Sequence, residues 1–171
     1  MSFDTARPLN PWRWLGAPAA LCILAAMVFA TPIRVFGQQL PEPVFPMVCA
    51  FAWAVIRPAI LAPIVLLVMG VLLDIFWGTP TGLWAVSLLI AYAGALAVRN
   101  MMTGQSRPMM WAWYAGFTAL AMLAAYFFTV MDSKTAPSLI AVFWQFLATS
   151  LLYPFAHRLI DRFEDADVRF R

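Results

Sequence analysis

Charge is what this chain has least of. Asp, Glu, Lys and Arg make up 11% of its 171 residues, and 64% are hydrophobic. Soluble domains carry about 25% charged residues. A chain of this length leaves too much surface outside to hide so much apolar side chain in one aqueous core. Lipid is therefore its solvent, and a second folded domain of any size is excluded. Histidine occurs once, at His157. No Ser, Cys or carboxylate pair converges on it in the pattern, so an interfacial histidine at a helix end is the expectation and catalysis is not. The two cysteines, Cys22 and Cys49, both fall in apolar runs and read as small hydrophobes. No ligand cluster has metal-binding spacing, and no cofactor is expected. Eleven basic residues give a net charge of +3. They stand singly between apolar runs, which sets membrane topology and excludes a nucleic-acid partner.

Six apolar runs are present. Their lengths and breakers predict helices over residues 14–36, 44–56, 59–77, 83–98, 109–131 and 137–156, an all-α bundle of six transmembrane helices. Residues 1–13 form a cytoplasmic leader with Pro8 and Pro11, 14–157 the membrane domain, and 158–171 a cytoplasmic or interfacial tail. The first run ends a little like a signal-peptide cleavage site; an uncleaved helix is the expectation. The second run is short for the roughly 17–25 residues a span requires. It reads as a thin span, with a re-entrant segment as the alternative. The tail is predicted to continue the last helix along the inner surface.

Orientation follows from the basic residues, which favour the cytoplasmic side. With six spans and the N-terminus inside, Arg7, Arg13, Arg57, Arg99, Arg107, Arg158, Arg162, Arg169 and Arg171 are cytoplasmic, as are both termini. Only Arg34 and Lys134 face out. Trp12, Trp14, Trp111 and Trp113 then mark the inner interface, and Trp77 and Trp84 the outer one.

Asp74 stands out because a carboxylate in an apolar run costs about 2.5–3.5 kcal/mol at a helix centre and less near the interface. A Gly78-Thr79-Pro80-Thr81-Gly82 reversal follows it directly. Two roles are open. Asp74 accepts hydrogen bonds from turn amides at 78–81 or pairs within the bundle, or it receives a cation or another protein. Arg57 cannot be its mate within the hairpin, since a rise of about 1.5 Å per residue separates the two by roughly 25 Å. Arg34 and Lys134 share its side. Gly70, Gly94 and the alanines at 91, 93, 95 and 97 allow close helix contacts, internal or with a partner helix. The Met101-Met102 and Met109-Met110 pairs read as packing.

The Arg57-Pro58 break followed by Gly-x-Leu-Leu-Asp-x-x-x-Gly-x-Pro-x-Gly-Leu resembles the bacterial rod shape-determining protein MreD family. Gly70, Asp74, Gly78, Pro80 and Gly82 match its pattern one by one. The resemblance implies a non-enzymatic scaffold of the cell-wall elongation complex in the bacterial inner membrane, involved in rod-shape maintenance. Its implied partners are the MreC transmembrane helix, the MreB filament, and the peptidoglycan synthases RodA and penicillin-binding protein 2. It also implies kinship with the substrate-binding subunits of energy-coupling-factor transporters. The rival function is therefore a small-ligand, vitamin-like transport subunit.

Overall fold

A π-helical turn, Trp12–Gly16, leads into α1 (Ala17–Phe29), followed by β1 (Arg34–Val35) and β2 (Gln38–Gln39). Then come α2 (Pro46–Ile56), α3 (Leu61–Trp77), α4 (Leu83–Met102), α5 (Arg107–Ser133), α6 (Leu139–Ser150) and α7 (Tyr153–Val168). This is a computed structural model, and it describes residues 12–29, 34–35, 38–39, 42–56, 59–133 and 137–168. Residues 1–11 of the leader, Arg57, Pro58 and Lys134 lie outside them; Trp12 and Arg13, the last two residues of the expected leader, instead open the π-helical turn.

Three helical stretches are long and apolar enough to cross a membrane: Leu83–Met102, Arg107–Asp132 and Leu139–Asp161. They mark the chain as a membrane protein. Trp14–Phe29, Pro46–Ile56 and Leu61–Trp77 are also apolar but shorter. The six apolar runs thus appear as helical segments, though with changed limits. The first does not reach residue 36. Its helix stops at Phe29, and Arg34–Val35 instead pair antiparallel with Gln38–Gln39. Pro32 has no N–H with which to continue a helix.

The last run is not one helix either. It breaks at Leu151-Leu152 between α6 and α7. Pro154 cannot donate to the Ser150 carbonyl four residues back, and its ring crowds that oxygen. The Trp111 indole N–H donates to the Ser150 carbonyl at 3.2 Å, and the Tyr114 hydroxyl to the Thr149 carbonyl at 3.1 Å. Two side chains of α5 thereby satisfy the acceptors at the break. The Tyr153 hydroxyl donates to the Arg107 carbonyl at 3.2 Å, tying the start of α7 to the start of α5.

The core is organised around α2. Every residue from Pro46 to Ala54 is buried, and α2 packs on α1, α3, α4, α5 and α7. Eleven residues rise only about 16 Å at 1.5 Å each, about half the hydrocarbon thickness. The chain reaches α2 through non-helical residues 42–44. Their backbone polar groups, packed against the bundle, require partners, and α6 supplies them. The Gln145 side-chain amide donates to the Glu42 carbonyl at 3.1 Å, and the Val44 N–H donates to Thr149 Oγ1 at 3.1 Å. At the other end of α2, the Trp53 indole donates to the Trp14 carbonyl. The two cysteines meet across α1 and α2 as free thiols, sulfur to sulfur 3.4 Å.

Around this core lies a belt of exposed apolar side chains. It includes Leu21 and Leu24 on α1, Ile64 and Val68 on α3, and Ile140 and Phe143 on α6. Not every tryptophan joins an interfacial belt. Trp14 and Trp84 are buried within the protein, Trp84 packing edge-on against Trp77 with ring centres 5.3 Å apart. The small-residue flank of α4 serves internal packing in part: Ala91 and Ala95 are buried, and a Cβ on Gly94 would lie 3.0 Å from the Phe117 ring.

At Gly70 the backbones of α3 and α4 come into close contact. A Cβ built on Gly70 would stand 2.2 Å from the Ala85 Cα and 2.4 Å from its nitrogen. These are backbone atoms that no rotamer change relieves. Gly70→Ala is therefore expected to force the two helices apart and cost about 1–3 kcal/mol. Thermal unfolding of the purified protein in detergent reads this as a lowered midpoint. An unchanged midpoint would refute the contact.

Candidate functional site

The Asp74 hairpin is built from one problem: α4 begins on a residue that cannot cap it. Leu83 N–H donates to the Pro80 carbonyl at 3.1 Å, closing a four-residue turn with Gly82 third. Gly82 has φ 98° and ψ −9°, the dihedrals of the third residue of a type II turn. That conformation favours glycine, and glycine has no side chain to accept the orphan N–H groups at a helix start. Serine, threonine, aspartate and asparagine normally do so.

Asp74 supplies the missing cap from the last turn of α3. Its Oδ2 accepts the Gly82 N–H at 2.8 Å, and its Oδ1 accepts the Trp84 N–H at 3.0 Å. Oδ1 also accepts the Thr79 hydroxyl at 2.7 Å. The carboxylate is 1% exposed and sits on the positive end of a 20-residue helix, where negative charge is favoured. The main chain of the same residue ends α3: the Asp74 carbonyl accepts the N–H groups of Gly78 and Thr79. Gly78 takes the left-handed φ of 63° that this ending uses. One aspartate thus closes one helix and starts the next.

Among the residues expected at the site, Gly70, Asp74, Gly78, Pro80 and Gly82 all fall in this α3–α4 hairpin. The acceptor role of Asp74 is present, with different donors from those expected: the amides of Gly82 and Trp84 rather than those of 78–81. Arg57 lies outside the described residues, as do Lys134 and the side chain of Arg34. His157 lies 3.4 Å from Asp161 one turn on and stacks against Tyr153. Among the described residues, no three His, Cys, Asp or Glu stand together as a metal set.

The sequence reading missed the cleft beside the hairpin. It has a volume of about 330 Å³ and lies among the Asp74 turn, α5, α6 and the non-helical residues before α2. Thr79, Trp84, Tyr126, Gln145 and Glu42 are among its walls. Burial raises the Glu42 carboxyl above its ordinary value. Residues 42 and 145 are 103 apart in sequence, too far for any local pattern to join them. The available clue was Glu42 itself, a carboxylate between two prolines just ahead of an apolar run.

No protein-family model, curated protein or solved structure matches this chain.

Asp74→Ala leaves two helix-terminal N–H groups without their acceptor, at about 1–3 kcal/mol each. The expected loss is on the order of 3 kcal/mol, with Asp74→Asn recovering part of it through its remaining carbonyl. Denaturant titration of the purified variants tests the ranking; equal stability of all three proteins would refute the cap. At Gly82, where a Cβ meets nothing within 4 Å, the cost of substitution is conformational. Gly82→Asn should therefore be milder than Gly82→Val, since Asn tolerates positive φ and β-branched residues do not.

Proposed function

We propose that this protein is a non-enzymatic scaffold of the cell-wall elongation complex, of the MreD type, in the bacterial inner membrane. The observation that carries the reading is the fastened α3–α4 hairpin. The five matching residues of the family pattern each have a physical task in it: Gly70 in close helix contact, Asp74 as a shared cap, and Gly78, Pro80 and Gly82 in the reversal. A rigid hairpin suits a protein that holds partner helices in fixed orientation. Six crossings with both termini cytoplasmic remain the preferred topology. The nine-to-two distribution of basic residues supports it. So does the tie between Tyr153 and Arg107, which brings the start of α7 to the arginine-bearing start of α5.

In this reading the bundle seats the transmembrane helix of MreC and couples the MreB filament to RodA and penicillin-binding protein 2. The six-helix kinship with energy-coupling-factor substrate-binding subunits supplies the rival function. The cleft favours it to the extent that its volume lies at the lower end of ligand pockets, which run from about 300 to 1,000 Å³.

Affinity purification from native membranes separates the two. The scaffold predicts recovery of a single-span periplasmic protein, reduced for Asp74→Ala and Gly82→Leu at equal amounts of folded bait. Recovery of a pair of ATPases in its place would establish transport. Undiminished recovery of the single-span partner with both variants would show that the hairpin does not govern assembly.

A further inference from the structure

Cys22 and Cys49 are the two cysteines of the chain, and the fold sets them against each other. Their sulfurs stand 3.4 Å apart, although 27 positions separate them in sequence. Three contacts in antiparallel order hold α1 and its lead-in turn on α2. At one end the Trp53 indole donates to the Trp14 carbonyl at 3.1 Å. At the other, the rings of Phe29 and Phe45 lie 5.3 Å apart. The thiols meet between these two. Phe45 just ahead of α2, then Cys49 and Trp53 within it, recur at every fourth residue, which places them along one helix face. The thiol pair is thus held in register from both sides.

The two thiols differ in access. Cys49 is 0% exposed, in a helix whose residues from Pro46 to Ala54 are all buried. Cys22 is half-buried, on a helix that turns Leu21 and Leu24 outward into the apolar belt. A small uncharged oxidant dissolved in the hydrocarbon layer therefore meets Cys22 first. Cys49 stands behind it as the resolving partner. A disulfide bond is about 2.05 Å long, so the sulfurs have about 1.4 Å to close, shared between two rotatable Cβ–Sγ arms. The bond would matter to α1 in particular. Its buried residues are Ala19 and Ala26, which offer little side chain to grip the core.

We propose that Cys22 and Cys49 form a redox clamp, in which a hydroperoxide oxidises Cys22 and the resulting disulfide with Cys49 fastens α1 to α2. In the first step the Cys22 sulfur attacks the O–O bond. It takes one oxygen as a sulfenic acid, and the other leaves as water or an alcohol with the thiol proton. In the second step the Cys49 sulfur attacks the Cys22 sulfur and expels the hydroxyl, which departs as water with the Cys49 proton. The thiol pair loses two electrons and two protons, and the hydroperoxide takes up both.

The test treats the full chain, purified reduced in detergent, with cumene hydroperoxide. Peptide mapping by mass spectrometry, after alkylation of the remaining thiols, is expected to find Cys22 joined to Cys49 within one chain. The oxidised protein should unfold about 5 °C or more above the reduced one, because the bond restricts the unfolded chain, and a reductant should reverse the shift. In Cys49→Ala, dimedone is expected to capture a sulfenic acid at Cys22. In Cys22→Ala, Cys49 should stay a free thiol. Reduced-state midpoints show that both variants fold; Cys49→Ser replaces Cys49→Ala if that variant does not. Both thiols still open to alkylation in the treated protein, bonds between chains alone, or Cys22 carried to a sulfinic acid without a bond would each overturn the clamp. An internal bond with an unchanged midpoint would overturn its fastening of α1. Capture at Cys49 in Cys22→Ala would overturn the order of attack.

Discussion

The structure depends on a carboxylate that serves two helices at once. Asp74 sits in the last turn of α3, yet its oxygens hold the first N–H groups of α4. A helix start in an apolar setting has few ways to meet its orphan donors, because water is scarce and each unmet group costs free energy. The usual remedy is a polar side chain at the cap itself. Here the tight turn takes glycine at that position, so the remedy comes from outside the turn. A charge that looks costly in an apolar run is thereby matched to donors that are equally costly alone. The arrangement also fixes geometry, since three hydrogen bonds to one buried group define how α4 leaves α3.

The same economy recurs at two other places where the helical pattern fails. At the α6–α7 break, Trp111 donates to the Ser150 carbonyl that Pro154 leaves open, and Tyr114 to the Thr149 carbonyl beside it. Before α2, Gln145 and Thr149 meet the backbone of Glu42 and Val44. Both of these irregular stretches lie against another helix bearing the right polar side chain. This explains the sparse polar residues in the runs better than solvation does. Thr118 and Ser87 return their hydroxyls to carbonyls of their own helix, whereas Thr149 both donates within its helix and accepts across the bundle.

Much of this was legible before any coordinates. The six apolar runs, the hairpin after Trp77 and the importance of Asp74 follow from hydropathy, turn residues and the cost of a membrane carboxylate. Gly82 even held the sharper answer, because a glycine at a helix start implies a cap from elsewhere. Pro154 likewise announced the break in the last run, yet the apolar pattern around it argued for continuity. What no local pattern conveys is a partnership across a hundred residues. Glu42 with Gln145, and Val44 with Thr149, exist because packing lays α6 beside the approach to α2. Burial of Trp84 rather than interfacial exposure has the same origin: its ring packs on Trp77, and composition does not say which tryptophans turn inward.

The shortness of α2 has a consequence for biogenesis. An insertion machinery that judges segments one at a time favours stretches long enough to span the hydrocarbon, and eleven residues fall well below that. The residues that make α2 apolar face protein on all sides, so their stabilisation arrives only when α1, α3, α4, α5 and α7 have gathered. The centre of the bundle is therefore the last part to become secure. Quality-control proteases that sample newly inserted chains would meet α2 exposed in any variant whose outer helices assemble slowly.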